Sequence, residues 1–207
     1  MTERILATAS GKLLDLAQPS PAAIDVTDIA LALSRICRFG GLSNRFYSVA
    51  QHAVLVSNIV SEDLARPDLA FDALHHDSHE AYVGDLPRPV RALLRDGGES
   101  NYDDLCSALN AAIARALGCN PFQPQTPDGA VIAQADDLAL IAEASLLLPG
   151  GVDHIQTWLT ADQLSPPRDT RAGDLLDAEQ SRLAFLDAHH ALAPAGPSPQ
   201  DRASDVN

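Results

Sequence analysis

A chain of 207 residues, 46% of them apolar, is long enough for one domain with a proper core; with only 4% aromatics, that core must be built from Leu, Ala, Ile and Val. Such a mixture favours helices over sheet, so an all-α fold is expected. The 14 basic residues, of which Lys12 is the only lysine, stand against 28 acidic ones, a formal charge of −14. That balance argues against a general nucleic-acid binder, which needs a basic surface to displace counterions, but it allows a small phosphorylated substrate held by one or two arginines. Cys37, Cys106 and Cys119 are odd in number and form no CxxC pair, so the expectation is reduced thiols in a cytoplasmic protein rather than a disulfide framework or a zinc finger. Met1 to Ser10 lacks the apolar stretch of a signal peptide, and no run of 18 apolar residues predicts a membrane span.

In chain order, residues 1–24 read as an irregular N-terminal segment, with short strands between Ile5 and Leu14 and with Pro19 and Pro21 delaying the first helix. Asp25 to Arg38 has helical spacing at Ile29, Leu33 and Ile36, a cap at Asp25 or Thr27, and a stop at Gly40–Gly41. After a loop at Asn44 to Tyr47, Ser48 and Gln51 match a capping box, which starts a helix running to about Val60 with His52 in its first turn. Pro67 suits the start of the next helix, which carries the apolar run Leu69 to Leu74 and then His76–Asp77, with Glu80 one turn later. The turn Gly84 to Pro89 breaks it. A short helix around Val90–Leu94 and a loop through Gly97–Gly98 follow.

Tyr102 to Leu117 is amphipathic, with Leu105, Leu109, Ala112, Ile113 and Ala116 on one stripe and Gly118 as its stop. A Pro-rich loop at 119–128 leads to a helix from Ala130 to Leu148 that carries Asp136 and Asp137. The last helix is predicted over Leu175 to Leu192. The domain is therefore placed at 25–192, and the Pro-, Ser- and Ala-rich tail 193–207 reads as disordered. The region 149–170, with His154 and Trp158, matches no pattern; Trp158 reads as a core anchor or a lid.

The chemistry-bearing residues are His52, then His76–Asp77 24 positions later, then Asp136, each on a predicted helix. Two imidazoles and two carboxylates from neighbouring helices are a credible ligand set for one divalent ion: Mn²⁺, Fe²⁺, Co²⁺ or Zn²⁺ rather than a calcium cage. Helical geometry places His76 and Glu80 on one face, with Asp77 about 100° away, which leaves Glu80 near the open side. His75 and His79 compete with His76, and Asp137 with Asp136; spacing alone does not choose between them.

The pattern His52 … His76–Asp77 … Asp136 resembles the signature of the HD-domain metal phosphohydrolase superfamily. Ser48–Val49–Ala50–Gln51–His52, the stretch Leu74 to Val90 with its His76–Asp77–Ser78–His79–Glu80 and Gly84–Asp85–Leu86–Pro87–Arg88–Pro89–Val90, and Gln134–Ala135–Asp136 are similar to bacterial 5′-deoxynucleotidases over roughly residues 28–148. The resemblance implies a helical bundle holding a divalent metal (Mn, Co, Fe, Mg or Zn) by His52, His76, Asp77 and Asp136. It implies that Glu80 orients or deprotonates the attacking water and that Asp85 acts near the leaving group as a general acid. It also implies an Arg-aromatic pair for phosphate and base. Here that pair is Arg38–Phe39, with Phe where Trp is usual, while Arg35 and Arg45 compete for the phosphate and Arg88 reads as a stabiliser of the Pro-rich turn.

The implied substrate is a deoxynucleoside monophosphate, hydrolysed to nucleoside and phosphate. Phage-type HD proteins share stretches similar to Ile36–Gly41 and Tyr47–His52, which makes a deoxynucleoside triphosphate triphosphohydrolase the alternative. A non-catalytic HD-fold binding module is the alternative from another class. A cyclic-dinucleotide phosphodiesterase ranks low, since His75 and His79 stand too close to His76 to hold extra metals. The partners expected are a small nucleotide and, as in related enzymes, further copies of the chain, but neither nucleic acid nor a membrane.

Overall fold

The computed structural model describes residues 3–96, 101–156, 159 and 173–194. The expected loop at Gly97–Gly98, Trp158 and the tail beyond Pro194 lie outside the described residues. The fold is mostly helical. It opens with a small antiparallel hairpin, β1 (Ile5–Ala7) and β2 (Leu13–Asp15), with Leu6 opposite Leu14. Ser10 fastens the hairpin to the first helix: its N–H and hydroxyl donate to the two oxygens of Asp28 at 2.8 and 2.6 Å. Lys12 donates to the Ile24 carbonyl at 2.8 Å and pairs with Asp25 at 3.2 Å.

Helix α1 (Val26–Leu33) starts where expected, with the Asp25 side chain accepting from the Thr27 N–H, but it stops before Arg38. Cys37 is instead extended and bridges Ser48, between Ile36 and a 3-10 turn at Arg38–Gly41: the Arg38 N–H donates to the Tyr47 carbonyl at 2.9 Å, and the Val49 N–H to the Ile36 carbonyl at 3.0 Å. That cross-pairing satisfies the backbone as fully as another helical turn would, and a local spacing rule does not register it.

Helix α2 (Val49–Asn58) runs on into a π turn, Ile59–Asp63. Its N-cap is half of the expected capping box. The Ser48 hydroxyl accepts from the Gln51 N–H at 3.1 Å, while the Gln51 side chain reaches to Asp174 and Leu176 instead. A short turn at Pro67–Leu69 leads into α3 (Ala70–Leu74). The helix expected to carry His76, Asp77 and Glu80 in register is interrupted here. Residues 75–79 form successive tight turns bonded i to i−3, and α4 (Glu80–Val83) starts afresh. Next come α5 (Arg88–Asp96), α6 (Asn101–Leu117) and the long α7 (Pro127–Leu147). Thr126 caps α7, its hydroxyl accepting from the Gly129 N–H at 3.1 Å. The last helix, α8 (Ala178–Leu192), carries a full capping box made by Asp177 and Gln180.

Helix α2 is the central element, packed against α1, α3, α7 and α8. One face joins Leu14, Ile29, Leu33, Leu109, Ile113 and Phe185 in the main core. The far end, with Val56, Ile59 and Val60, packs against Ile132, Ala135 and Leu138 of α7. Phe185 is fully buried and anchors α8, a contribution of about 2–3 kcal/mol. Among the described residues no helix is long and apolar enough to cross a membrane.

Candidate metal centre

Three elements meet at one point: the first turn of α2 with His52, the tight turns with His76 and Asp77, and the middle of α7 with Asp136. One donor atom each from His52, His76 and Asp136 lie within 4.8 Å of one another. Asp77 joins them through a single oxygen, 3.2 Å from His76 Nε2 and 3.7 Å from His52 Nε2. Asp136 Oδ1 stands 3.3 Å from His52 Nε2. His76 and Asp77 reach this point from the tight turns that interrupt the helix, and a metal between their two directions could take both.

Both imidazoles are oriented through their other nitrogen. His52 Nδ1 donates to Glu143 Oε1 at 2.7 Å, and His76 Nδ1 donates to the Ala73 carbonyl at 2.7 Å. That leaves each Nε2 directed at the carboxylates, and both Nε2 atoms are buried without a hydrogen-bond partner. Buried polar atoms without partners are costly, and two imidazole nitrogens with two carboxylate oxygens form a donor set that suits Mn²⁺, Co²⁺, Fe²⁺ or Zn²⁺. These residues can hold one divalent ion. Electrostatics agree. Burial and Arg38 push the His52 imidazole down, yet Glu143, Asp136 and Asp77 outweigh them and hold it well above its usual value. Burial opposes ionisation of Asp136 and Asp77 too, but the adjacent imidazoles hold both carboxyls below the ordinary range.

Glu143 went unrecognised in the sequence. It is fully buried on α7 and accepts from His52 with one oxygen and from Arg38 Nη2 and Nε, at 3.1 and 3.3 Å, with the other. The signal was its spacing, seven residues or two helical turns after Asp136 on the same face. Arg38 is nearly buried, and its second ion pair, with Asp85, spans 3.9 Å. Arg88 does more than brace the Pro-rich turn: its Nη2 donates to Asp136 Oδ2 at 3.1 Å and to Asp137 Oδ1 at 2.7 Å. Arg91, also unrecognised, stands 3.6 Å from Glu80 Oε1 with its guanidinium over the Tyr102 ring.

A pocket of about 410 Å³ opens onto these groups. Its polar side includes Asp77, Glu80, Asp85 and the three arginines Arg38, Arg88 and Arg91; its apolar wall includes Phe39, Leu86, Phe122 and Leu140. Phe39 takes a left-handed backbone conformation, φ +56°, uncommon for a bulky residue, in the turn that presents both Arg38 and its own ring to the pocket. Burial above all, then the charges of Asp77 and Asp85, raise the Glu80 carboxyl well above the ordinary range. Asp85 is raised as well, again chiefly by burial.

Of the competing residues, only His79 stays beside the cluster. His75 is buried between Ser78 and His189, bonded to each at 2.9 Å, and faces α8 rather than the cluster. His79 groups with Asp77 and Glu80, on the side of Arg91. Asp137 turns to Arg88. Arg45 is exposed and does not line the pocket, so the structure does not bring it to the site. Arg35 is exposed beside a separate hollow with Asp28 and Tyr82, and His154 is exposed in the turn Gly151–His154.

No family model matches the chain. It is 39% identical over 135 residues to the uncharacterized protein YfdR of Escherichia coli (strain K12), a match covering 65% of this chain and 66%, just under two thirds, of that protein. It is 30% identical over 198 residues to an uncharacterized protein of Rhodobacter capsulatus, covering 88% of this chain and 92% of the relative. The chain belongs to the family of the Rhodobacter capsulatus protein. What this family does must be argued from the site, since both relatives are uncharacterized.

Proposed function

We propose that this protein is a metal-dependent phosphohydrolase of the HD-domain type, acting on the 5′-phosphomonoester of deoxynucleoside monophosphates. The observation that carries the reading is the convergence of His52, His76, Asp77 and Asp136, with two unpartnered Nε2 atoms, on the pocket that Arg38 enters. The four residues would hold the ion, and the ion when bound would activate a water and polarise a phosphoryl oxygen. Arg38 offers a fixed cation for the phosphate, because Glu143 holds its guanidinium from behind. Glu80, buried and 3.6 Å from Arg91, holds or takes the proton of the attacking water. Asp85, whose carboxyl burial raises above its ordinary range, would supply the proton to the leaving sugar oxygen. Phe39 and the apolar wall take the base and sugar.

One observation favours the triphosphate alternative. Arg88 and Arg91 line the same pocket as Arg38, which is more cationic capacity than one phosphate needs. The test is phosphate and triphosphate release from a panel of deoxynucleoside mono- and triphosphates, using metal-stripped protein resupplied with Mn²⁺, Co²⁺ or Mg²⁺. Phosphate from monophosphates, abolished in Asp77→Ala, is the expected result. Triphosphate from triphosphates moves the protein to the alternative. No turnover of any nucleotide refutes the deoxynucleotide reading and leaves either another phosphorylated substrate or a binding module.

A further inference from the structure

Helix α8 and the turn before it touch no candidate ligand, yet they hydrogen-bond the residue immediately preceding each histidine ligand. Gln51 precedes His52: its amide donates to the Asp174 carbonyl at 2.6 Å and accepts from the Leu176 N–H at 3.1 Å. His75 precedes His76: its Nε2 shares a 2.9 Å hydrogen bond with His189 Nδ1, and its Nδ1 shares one of 2.9 Å with Ser78. The His75 bonds are buried, while those of Gln51, itself a buried residue, run to the partly exposed turn before α8. The Gln51 backbone N–H is already capped by Ser48, so its side chain is left for the turn before α8, a helix that Phe185 also docks through apolar contact. Apolar contact is indifferent to small sliding motions, whereas a hydrogen bond loses its strength when distance and angle drift.

We infer that residues 174–192 form a clamp that sets the position of the two histidine ligands, with Gln51 and His189 as its positioning residues. The inference rests on the metal part of the proposed function, not on its substrate. Gln51 fixes the start of α2, and so the depth at which His52 enters the centre. His189 fixes His75 and, through Ser78, the tight turns that carry His76 and Asp77.

The test uses the full chain, stripped of metal, in three variants. Gln51→Met keeps length and loses both bonds. His189→Phe keeps a ring against Phe71 and His75 and loses the hydrogen bond. His189→Asn returns an amide atom to the place of Nδ1. Mn²⁺ affinity is read by calorimetry, the geometry of the centre by the visible absorption of bound Co²⁺, and helix content by far-UV circular dichroism. Gln51→Met and His189→Phe are expected to weaken Mn²⁺ binding by about tenfold or more and to shift the Co²⁺ bands with helix content unchanged, while His189→Asn restores both. Because the two removals act on different bonds, either one suffices if the other fails to fold.

Wild-type affinity and Co²⁺ bands in both removals, with only the melting temperature lowered, would overturn the clamp, as would loss of folding in both. Wild-type protein that binds no Mn²⁺ would overturn the metal reading and the clamp with it. Wild-type protein that binds Mn²⁺ but hydrolyses no nucleotide would refute the proposed substrate alone, and the variants would then still decide the clamp.

Discussion

The Glu143 carboxylate serves two partners at once, orienting His52 with one oxygen and neutralising Arg38 with the other. Both partners are buried, so loss of its charge is felt on both sides: a Gln there leaves one acceptor oxygen for two donors, so that His52 or Arg38 meets an N–H instead, and Arg38 keeps a charge with half its compensation. Glu143→Gln is therefore expected to weaken Mn²⁺ affinity about 10- to 100-fold and to raise KM for the nucleotide in the same protein, read by calorimetry and by steady-state kinetics. A rise in KM with unchanged metal affinity would confine Glu143 to Arg38. His75 governs a different property. Burial, then the charges of His189 and His76, pushes its imidazole down from 6.5 to about 3. The folded chain keeps it neutral while the unfolded chain protonates it near 6.5. Its stabilising effect is thus complete above that pH, falls by about 1.4 kcal/mol per pH unit on acidification, and levels off near the folded value. Urea midpoints measured across this window are expected to fall steeply in the wild type and to lie flatter in His75→Gln.

Helices with local signals are legible in the residues themselves: Asp25, Ser48 and the amphipathic stripe of α6 lie where capping and periodicity place them. What the spacing rules miss depends on long-range partners. Ile36 keeps helical spacing yet pairs with residue 49, and the Gln51 side chain leaves its own cap for Asp174 and Leu176. The interruption at His75 is hidden for the same reason, because the tight turns are stabilised by His189, 114 positions away. The candidate ligands stand out as two imidazoles and two carboxylates, with the family resemblance choosing His76 over His75 and Asp136 over Asp137; Glu143 offers only its two-turn spacing from Asp136, and Arg91 emerges only when α5 is set against the centre. One strained element gives a stability test. Ala65 ends the π turn at φ +52°, and its neighbours close the turn through Leu64 to Ile59 and Arg66 to Val60. Glycine carries no Cβ clash there, so Ala65→Gly is expected to add about 1 kcal/mol and to raise the melting temperature by about 2–4 °C in a scanning calorimeter.

Taken whole, the molecule brings three packing directions of α2 together around a cluster of buried charge: α8 on one side, α7 on another, and the turns after α3 on a third. Coupling between occupancy and global stability follows. With Mn²⁺ at about a hundred times its dissociation constant, the native state is expected to gain about 2.7 kcal/mol, seen as a rise in melting temperature that Asp77→Ala abolishes. Arg88 adds a selectivity of its own. It occupies Asp136 Oδ2, and Asp136 meets His52 only through Oδ1. Asp77 likewise offers the imidazoles a single oxygen. An ion held here would meet one oxygen from each carboxylate, which would starve a large ion that needs six to eight oxygens and serve a smaller one content with fewer. Calcium should compete poorly with Mn²⁺ in a displacement titration. An arginine that never touches the ion would thus act as the gauge of its size.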